Sequence, residues 1–213
     1  MLESVVLQGA LVRLEPLGLD HVGPLVEAAQ DRRSFEWTFT PDGHDEMTAY
    51  VREALDKVDA GAHVAFATLE RHPKGADRVV GATRFCEIEY WQWPPGATHQ
   101  RHGVPDVVDI GYTWLASAAQ RTGVNTEAKL LMLAHAFEVW GVHRVGLRTD
   151  VRNMKSWAAI ERIGCSLDGI MRADRPGADD TVRTSARFSM VAAQWPAAKQ
   201  RLVDRLEAHR SVS

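Results

Sequence analysis

A single mixed α/β domain built around one sheet is the architecture this sequence predicts, and three observations carry the prediction. Strand-like and helix-like patterns follow one another in the order β-α-α-β-β-β-α-β-α-β-β-α. The stretch 109–128, DIGYTWLASAAQRTGVNTEA, passes from a strand through a polar turn into a helix. No internal repeat, low-complexity segment or strong linker divides the 213 residues, so residues 1–213 are read as one domain, long enough to bury a substantial core.

Residues 11–17 (LVRLEPL) alternate as a first strand with Arg13 and Glu15 outward, and Pro16 marks its end. Val22, Leu25, Val26 and Ala29 share one helical face. A second helix carries Met47, Tyr50, Val51, Ala54, Leu55 and Val58 on its apolar side, with Gly61 suited to its C-terminal cap. Between these helices, residues 32–42 (RRSFEWTFTPD) hold Phe35, Trp37 and Phe39. They can line a groove or pack as a loop, and packing is favoured because aromatic side chains are mostly buried. Strands follow at 64–70 and 79–90 around the turn His72-Pro73-Lys74-Gly75.

Residues 91–105 (WQWPPGATHQRHGVP) hold three of the nine prolines and two of the sixteen glycines, so they read as a long loop of the kind that is usually functional. Downstream lie a strand at 144–149 and a helix from Asn153 that buries Trp157, Ala159, Ile160 and Ile163 and is capped by Gly164. Strands at 165–171 and 181–191 flank a polar hairpin loop at 174–180. The last helix carries Trp195, Ala198, Leu202 and Leu206 on one side.

Composition narrows the function classes. A net charge of −3 leaves no footprint for nucleic acid, and no apolar run is long enough to span a bilayer. The N-terminal residues lack a basic stretch followed by an apolar run, so no secretory signal is expected. Cys86 and Cys165, far apart in apolar settings, point to reduced thiols and a cytoplasmic location rather than a disulfide framework. His99 and His102 form an HxxH pair without a Cys or acidic ligand set nearby. They read as exposed or substrate-rim histidines, and no metal is expected. Trp91 and Trp93 in the same loop suggest a binding surface.

The central stretch is the informative one. Ile110, Tyr112 and Trp114 alternate with Gly111 and Thr113 as a strand, and a helix is expected from about Thr126 through Trp140. The turn between them, Gln120-Arg121-Thr122-Gly123-Val124-Asn125, gathers free backbone N–H groups at the positive end of a helix dipole. That arrangement suits phosphate.

These residues bring the chain close to a known family. It resembles the GNAT superfamily of acyl-CoA N-acyltransferases, nearest the RimJ/RimL-type group of ribosomal-protein N-terminal acetyltransferases. The family's pyrophosphate loop, Q/R-x-x-G-x-G/A, falls on Gln120, Gly123 and Asn125, with Asn replacing the last Gly or Ala. Asn153-x-x-Ser156 followed by Ile160-Glu161-Arg162-Ile163-Gly164 is similar to the family's NxxS…LEKLG block. The resemblance covers most of the chain and is strongest over 109–172. It implies a mostly antiparallel, twisted sheet of about seven strands, splayed by a bulge in the central strand and flanked by helices.

The resemblance also implies acetyl-CoA as co-substrate and assigns roles. Backbone amides of Arg121, Thr122, Gly123, Val124 and Asn125 would hold pyrophosphate at the start of the Thr126 helix, with Gln120 opening the loop. Trp114 and Leu115 would sit at the bulge, where an amide polarises the thioester carbonyl, and bulky Trp114 favours a short acyl group. Asn153 would bind the pantetheine arm, and Ser156 would approach the sulfur and assist the departing thiolate. Capping the helix is the alternative for both. Relatives that use a Tyr acid and a Glu base carry them where this chain has Ile160 and Arg148, so that version is absent. Asp109, Glu87 and Glu89 are candidate bases, each equally readable as a solvated strand-edge carboxylate, and water relayed to a backbone carbonyl would also serve. The acceptor is a primary amine of a protein N-terminus or small molecule, selected by the 91–105 loop, and a homodimer is expected. The rival readings are a non-catalytic acyl-CoA sensor of the same fold and an interaction protein whose phosphate turn is only structural.

Overall fold

Alternation along the strands decides which helices cover which side of the sheet. The computed structural model describes residues 2–210. Eight strands form one sheet in the order β1-β2-β3-β4-β5-β6-β8-β7. They are β1 (Leu7–Gln8), β2 (Val12–Pro16), β3 (Val64–Glu70), β4 (Arg78–Glu89), β5 (Val107–Leu115), β6 (Arg144–Asp150), β7 (Ser166–Pro176) and β8 (Val182–Val191). All neighbours are antiparallel except β5 and β6, which run parallel. The sequence implied about seven strands; the additional one is the two-residue β1, too short to show a period, which pairs Leu7 with Leu14.

One face of the sheet packs on α3 (Val124–Ala134), α4 (Met154–Arg162) and α5 (Trp195–Arg210). Val108 and Ile110 of β5, Val145 and Leu147 of β6, and Ala186 and Phe188 of β8 join Met132, Ile160 and Leu202 in this core. Residues between them on each strand must point the other way. There α1 (Val22–Ala28) and α2 (Gly43–Asp59) cover the β2–β4 half, with Met47, Val51 and Ala54 packed on Ala65, Ala67 and Ala82. The same face of β5, β6 and β8 carries Asp109, Arg148 and Arg187.

The helices match the periodicity with informative differences. α3 begins at Val124 instead of Thr126, because Val124 is a core residue, 2% exposed. The turn after α3 is a π-helix, His135–Trp140, closed by left-handed Gly141 at φ 68°. β7 runs on to Pro176, so Asp174, expected in the hairpin loop, lies in a strand. No helix among the described residues is long and apolar enough to cross a membrane.

Glu127 fastens α3 to the sheet edge. Its buried Oε2 accepts the backbone N–H of Leu11 (2.6 Å) and of Val12 (2.8 Å). Replacing it with Ala orphans those amides, and hydrogen bonds to a charged group are worth about 1.5–3 kcal/mol each. Glu127→Ala is expected to destabilise the protein by about 3 kcal/mol, read as a melting temperature lower by roughly 6–12 °C for a chain of this size. Glu127→Gln, which keeps an acceptor, is expected to lose less.

Candidate active site

The site begins where β5 and β6 part. They pair through Val107 with Arg144, Val108 with Val145 and Asp109 with Gly146. Beyond that point β5 stays with β4 and β6 with β8, leaving a wedge between Ile110–Leu115 and Leu147–Asp150. Backbone N–H and C=O groups on its walls have no strand partner, so an extended amide-bearing ligand can pair there. Two bulges shape the neighbourhood. The β4–β5 register jumps between Ala82 and Arg84 and again between Cys86 and Glu89. Each jump holds a non-glycine residue with positive φ, Tyr112 (53°) on β5 and Glu87 (47°) on β4. The irregularity in the central strand thus falls at Tyr112, two residues ahead of the expected Trp114. Trp114 is 3% exposed and edge-on to Phe35 at 5.8 Å, so little but its backbone is left to meet a ligand. Leu115 is likewise a core residue.

Asp109 lies at the apex of the wedge, its side chain 8% exposed and resting on Gly146, where any Cβ would collide with its carboxylate. Burial pushes its pKa up, opposed by the Arg148 and Arg187 cations. Arg148 gathers three carboxylates: Asp109 at 3.5 Å, Glu87 at 3.7 Å and Asp174 at 3.7 Å. Two of the sequence-derived candidate bases, Asp109 and Glu87, therefore meet on one arginine, and Glu87 is the more open, with 54% of its side chain exposed. Glu89 sits apart, near Arg144 at 4.0 Å. Buried Arg84 stacks between the Tyr50 and Tyr112 rings (4.5 and 4.3 Å to the centroids) and meets Glu53 at 2.6 Å.

The phosphate turn leads into α3 as expected, with a different division of labour. The left-handed residue is Arg121, φ 62°, while Gly123 and Asn125 are not. Gly123 is small because Leu11 and His209 pack where its Cβ would go. Gln120 reaches back to the Leu115 carbonyl (2.9 Å), and the Thr122 hydroxyl donates to the Ala119 carbonyl (2.8 Å) while accepting from the Val124 N–H (3.2 Å). Arg121, Thr122, Gly123 and Thr126 line a groove of about 490 Å³ together with Arg162, Arg205, Leu206, Ala208 and His209. Val124 turns into the core. Asn125 has a buried Oδ1 with no hydrogen-bond partner among the described residues. Three guanidinium groups at a helix N-terminus fit a diphosphate. Nothing in the sequence points to Arg205 and His209, because the docking of α5 on α3 that brings them in has no local signal, whereas Arg162 sits inside the Ile160–Gly164 block.

Asn153 and Ser156 follow β6, at the start of α4. Asn153 caps α4, its Oδ1 accepting the Ser156 N–H at 3.0 Å, which leaves its amide nitrogen for a ligand. Ser156 is half-buried in the first turn of α4. The linker between α1 and α2 crosses the mouth of the wedge. Phe35 meets Trp114 near the end of β5 at 5.8 Å, and the Trp37 ring lies 4.1 Å from the Arg152 guanidinium just past β6. Arg152 is held by Asp150 (2.8 Å) and Asp179 (2.7 Å). Phe35 is core and Phe39 is exposed, so the linker both packs and roofs.

The 91–105 loop is tied down at the other end of β5. Asp106 accepts the Trp91 backbone N–H (2.8 Å) and the Trp93 indole N–H (2.7 Å), and Trp91 stacks on His143 at 5.6 Å. The tryptophan pair is thus partly a tether. Burial pushes both Cys86 and Cys165 up to about 12, which suits neither for nucleophilic attack. Among the described residues no group of three His, Cys, Asp or Glu side chains could hold a metal ion.

Known proteins share this fold. The acetyltransferase (GNAT) domain family matches residues 12–166. No curated protein matches the chain. A GCN5-related N-acetyltransferase from Brucella melitensis is 26% identical, over 96% of this chain and 86% of its own, with a TM-score of 0.78. A T. thermophilus protein assigned as an acetyltransferase is 26% identical, over 97% and 99%, with a TM-score of 0.77. RimJ of Mycobacterium smegmatis, in complex with CoA-disulfide, is 19% identical over 95% and 93% with a TM-score of 0.70, a likeness of fold.

Proposed function

Since this chain belongs to the GNAT acetyltransferase family, we propose that it transfers the acetyl group of acetyl-CoA to a primary amine in a ternary complex, without a covalent enzyme intermediate. The observation that carries the reading is the wedge between β5 and β6, with a buried carboxylate at its apex and an arginine-lined groove beyond its mouth. In this reading Arg121, Arg162, Arg205 and the first amides of α3 bind the diphosphate, and the wedge walls and Asn153 pair with pantetheine. The bulged backbone of β5 donates to the thioester carbonyl as negative charge develops there. Asp109 takes the proton from the attacking ammonium, directly or through water, so that the neutral amine attacks. The carbon–sulfur bond breaks, and Ser156 donates a hydrogen bond to the departing thiolate.

The acceptor is a small-molecule or peptide amine, and a cytoplasmic setting is supported by the two reduced, buried cysteines. Specificity is assigned to the 91–105 loop. Deleting residues 94–103 is expected to abolish turnover while acetyl-CoA binding stays within about threefold; loss of both would make the loop structural. The reading as a whole is tested by calorimetric titration with acetyl-CoA followed by thiol detection over an amine panel. Micromolar binding with amine-dependent thiol release is the expected outcome. Stoichiometric binding without thiol release would instead indicate an acyl-CoA sensor.

A further inference from the structure

A buried lysine that the proposed chemistry does not use grips the β5 bulge from the helical side of the sheet. Lys129 projects from α3 into the core and is 5% exposed. Its Nζ donates to Thr113 Oγ1 at 2.7 Å and to Thr83 Oγ1 at 3.3 Å, and the two hydroxyls lie 2.8 Å apart. Thr113 directly follows left-handed Tyr112, and Thr83 is the β4 residue at the register jump. The bracket therefore spans the two strands at the point where the backbone leaves regular pairing. On the opposite face Arg84 holds the Tyr112 ring, so the bulge is clamped from both sides.

A buried amine facing two hydroxyls rather than a carboxylate is a costly way to fill core volume, since an apolar side chain of similar length would do so without desolvating a polar group. Burial also drives its pKa down to about 7. Space filling does not account for it, whereas a directional donor aimed at both hydroxyls does.

We propose that Lys129 is a positioning residue for acyl transfer, holding Thr113 against Thr83 so that the bulged backbone at Tyr112–Thr113 keeps the geometry that meets the thioester carbonyl. The proposal rests on the acetyltransferase reading above. It concerns the transition state more than cofactor binding, because the arginine groove that holds the diphosphate lies elsewhere.

The test uses the full chain with Lys129→Met and, separately, Thr113→Val, measuring steady-state kinetics and backbone hydrogen exchange. Both variants are expected to lower kcat by roughly tenfold to a hundredfold, since displacements of about 1 Å at a reacting centre cost up to about a hundredfold. KM for acetyl-CoA is expected to stay within about threefold, and amides at 112–113 to exchange about tenfold faster with 121–126 unchanged. Unchanged kcat, whatever the melting temperature does, or unchanged exchange at 112–113, overturns the proposal. Should Lys129→Met fail to fold, Thr113→Val decides by the same readouts. If the wild type acetylates no amine, the acetyltransferase reading fails and exchange alone decides whether the bracket holds the bulge.

Discussion

Asp109→Asn is expected to lower kcat by about a hundredfold or more, the usual contribution of a positioned general base. Acetyl-CoA affinity should change by less than about threefold, because the diphosphate groove does not include Asp109. The pH dependence carries a sign that separates this residue from an ordinary surface carboxylate. Burial raises the Asp109 pKa, so its base form is lost at a higher pH than usual and the acid limb of kcat/KM should lie above the ordinary aspartate range. The same shift means that ionised Asp109 opposes folding: its stability contribution is present below its unfolded pKa and lost as pH rises through the folded one. The Asn variant, which does not ionise, should therefore fold at neutral pH. Steady-state profiles of wild type and Asp109→Asn, with melting temperatures, check both statements. A full-rate Asp109→Asn with a slow Glu87→Gln would transfer the role to the more exposed carboxylate on the same arginine.

Arg121→Glu combined with Arg205→Glu is expected to weaken acetyl-CoA binding by about a hundredfold to ten-thousandfold. Each charge-assisted contact to phosphate is worth about 1.5–3 kcal/mol, and two lost contacts give about 3–6 kcal/mol. Both side chains are exposed, so the melting temperature should move little. Calorimetry at two salt concentrations measures the effect, with wild-type affinity falling as salt rises and the variant's slope shallower. Unchanged affinity would exclude the groove as the diphosphate site.

What was legible in the sequence divides along a physical line. The apolar face of α2 (Met47, Val51, Ala54) and its glycine cap, Gly61 at φ 70°, follow from local rules and lie where periodicity puts them. The turn into α3 and the Asn153 cap likewise follow from local rules, because a turn and an N-cap are written in consecutive residues. Features made by packing distant segments did not. The bulge sits at Tyr112 rather than Trp114 because the register with β4 decides it, and single-strand alternation carries no such information. Arg205 enters the groove through the docking of α5, and Lys129 reads as an ordinary helix lysine, a residue type almost never buried. The motif marks Gln120 and Gly123, and the fold adds that Gln120 closes the turn on the Leu115 carbonyl while Gly123 leaves room for Leu11.

The parting of β5 and β6 after Asp109 and Gly146 also bears on thermodynamic linkage. A regular sheet spends the inner edges of its strands on each other, whereas this one keeps two edges in reserve. A ligand that occupies them binds the native chain and not the unfolded one, so occupancy adds to the free energy of unfolding, about 2.7 kcal/mol when the ligand stands at a hundred times its Kd. If the proposed co-substrate occupies the wedge, the resistance of this protein to heat and proteolysis is expected to rise with its supply.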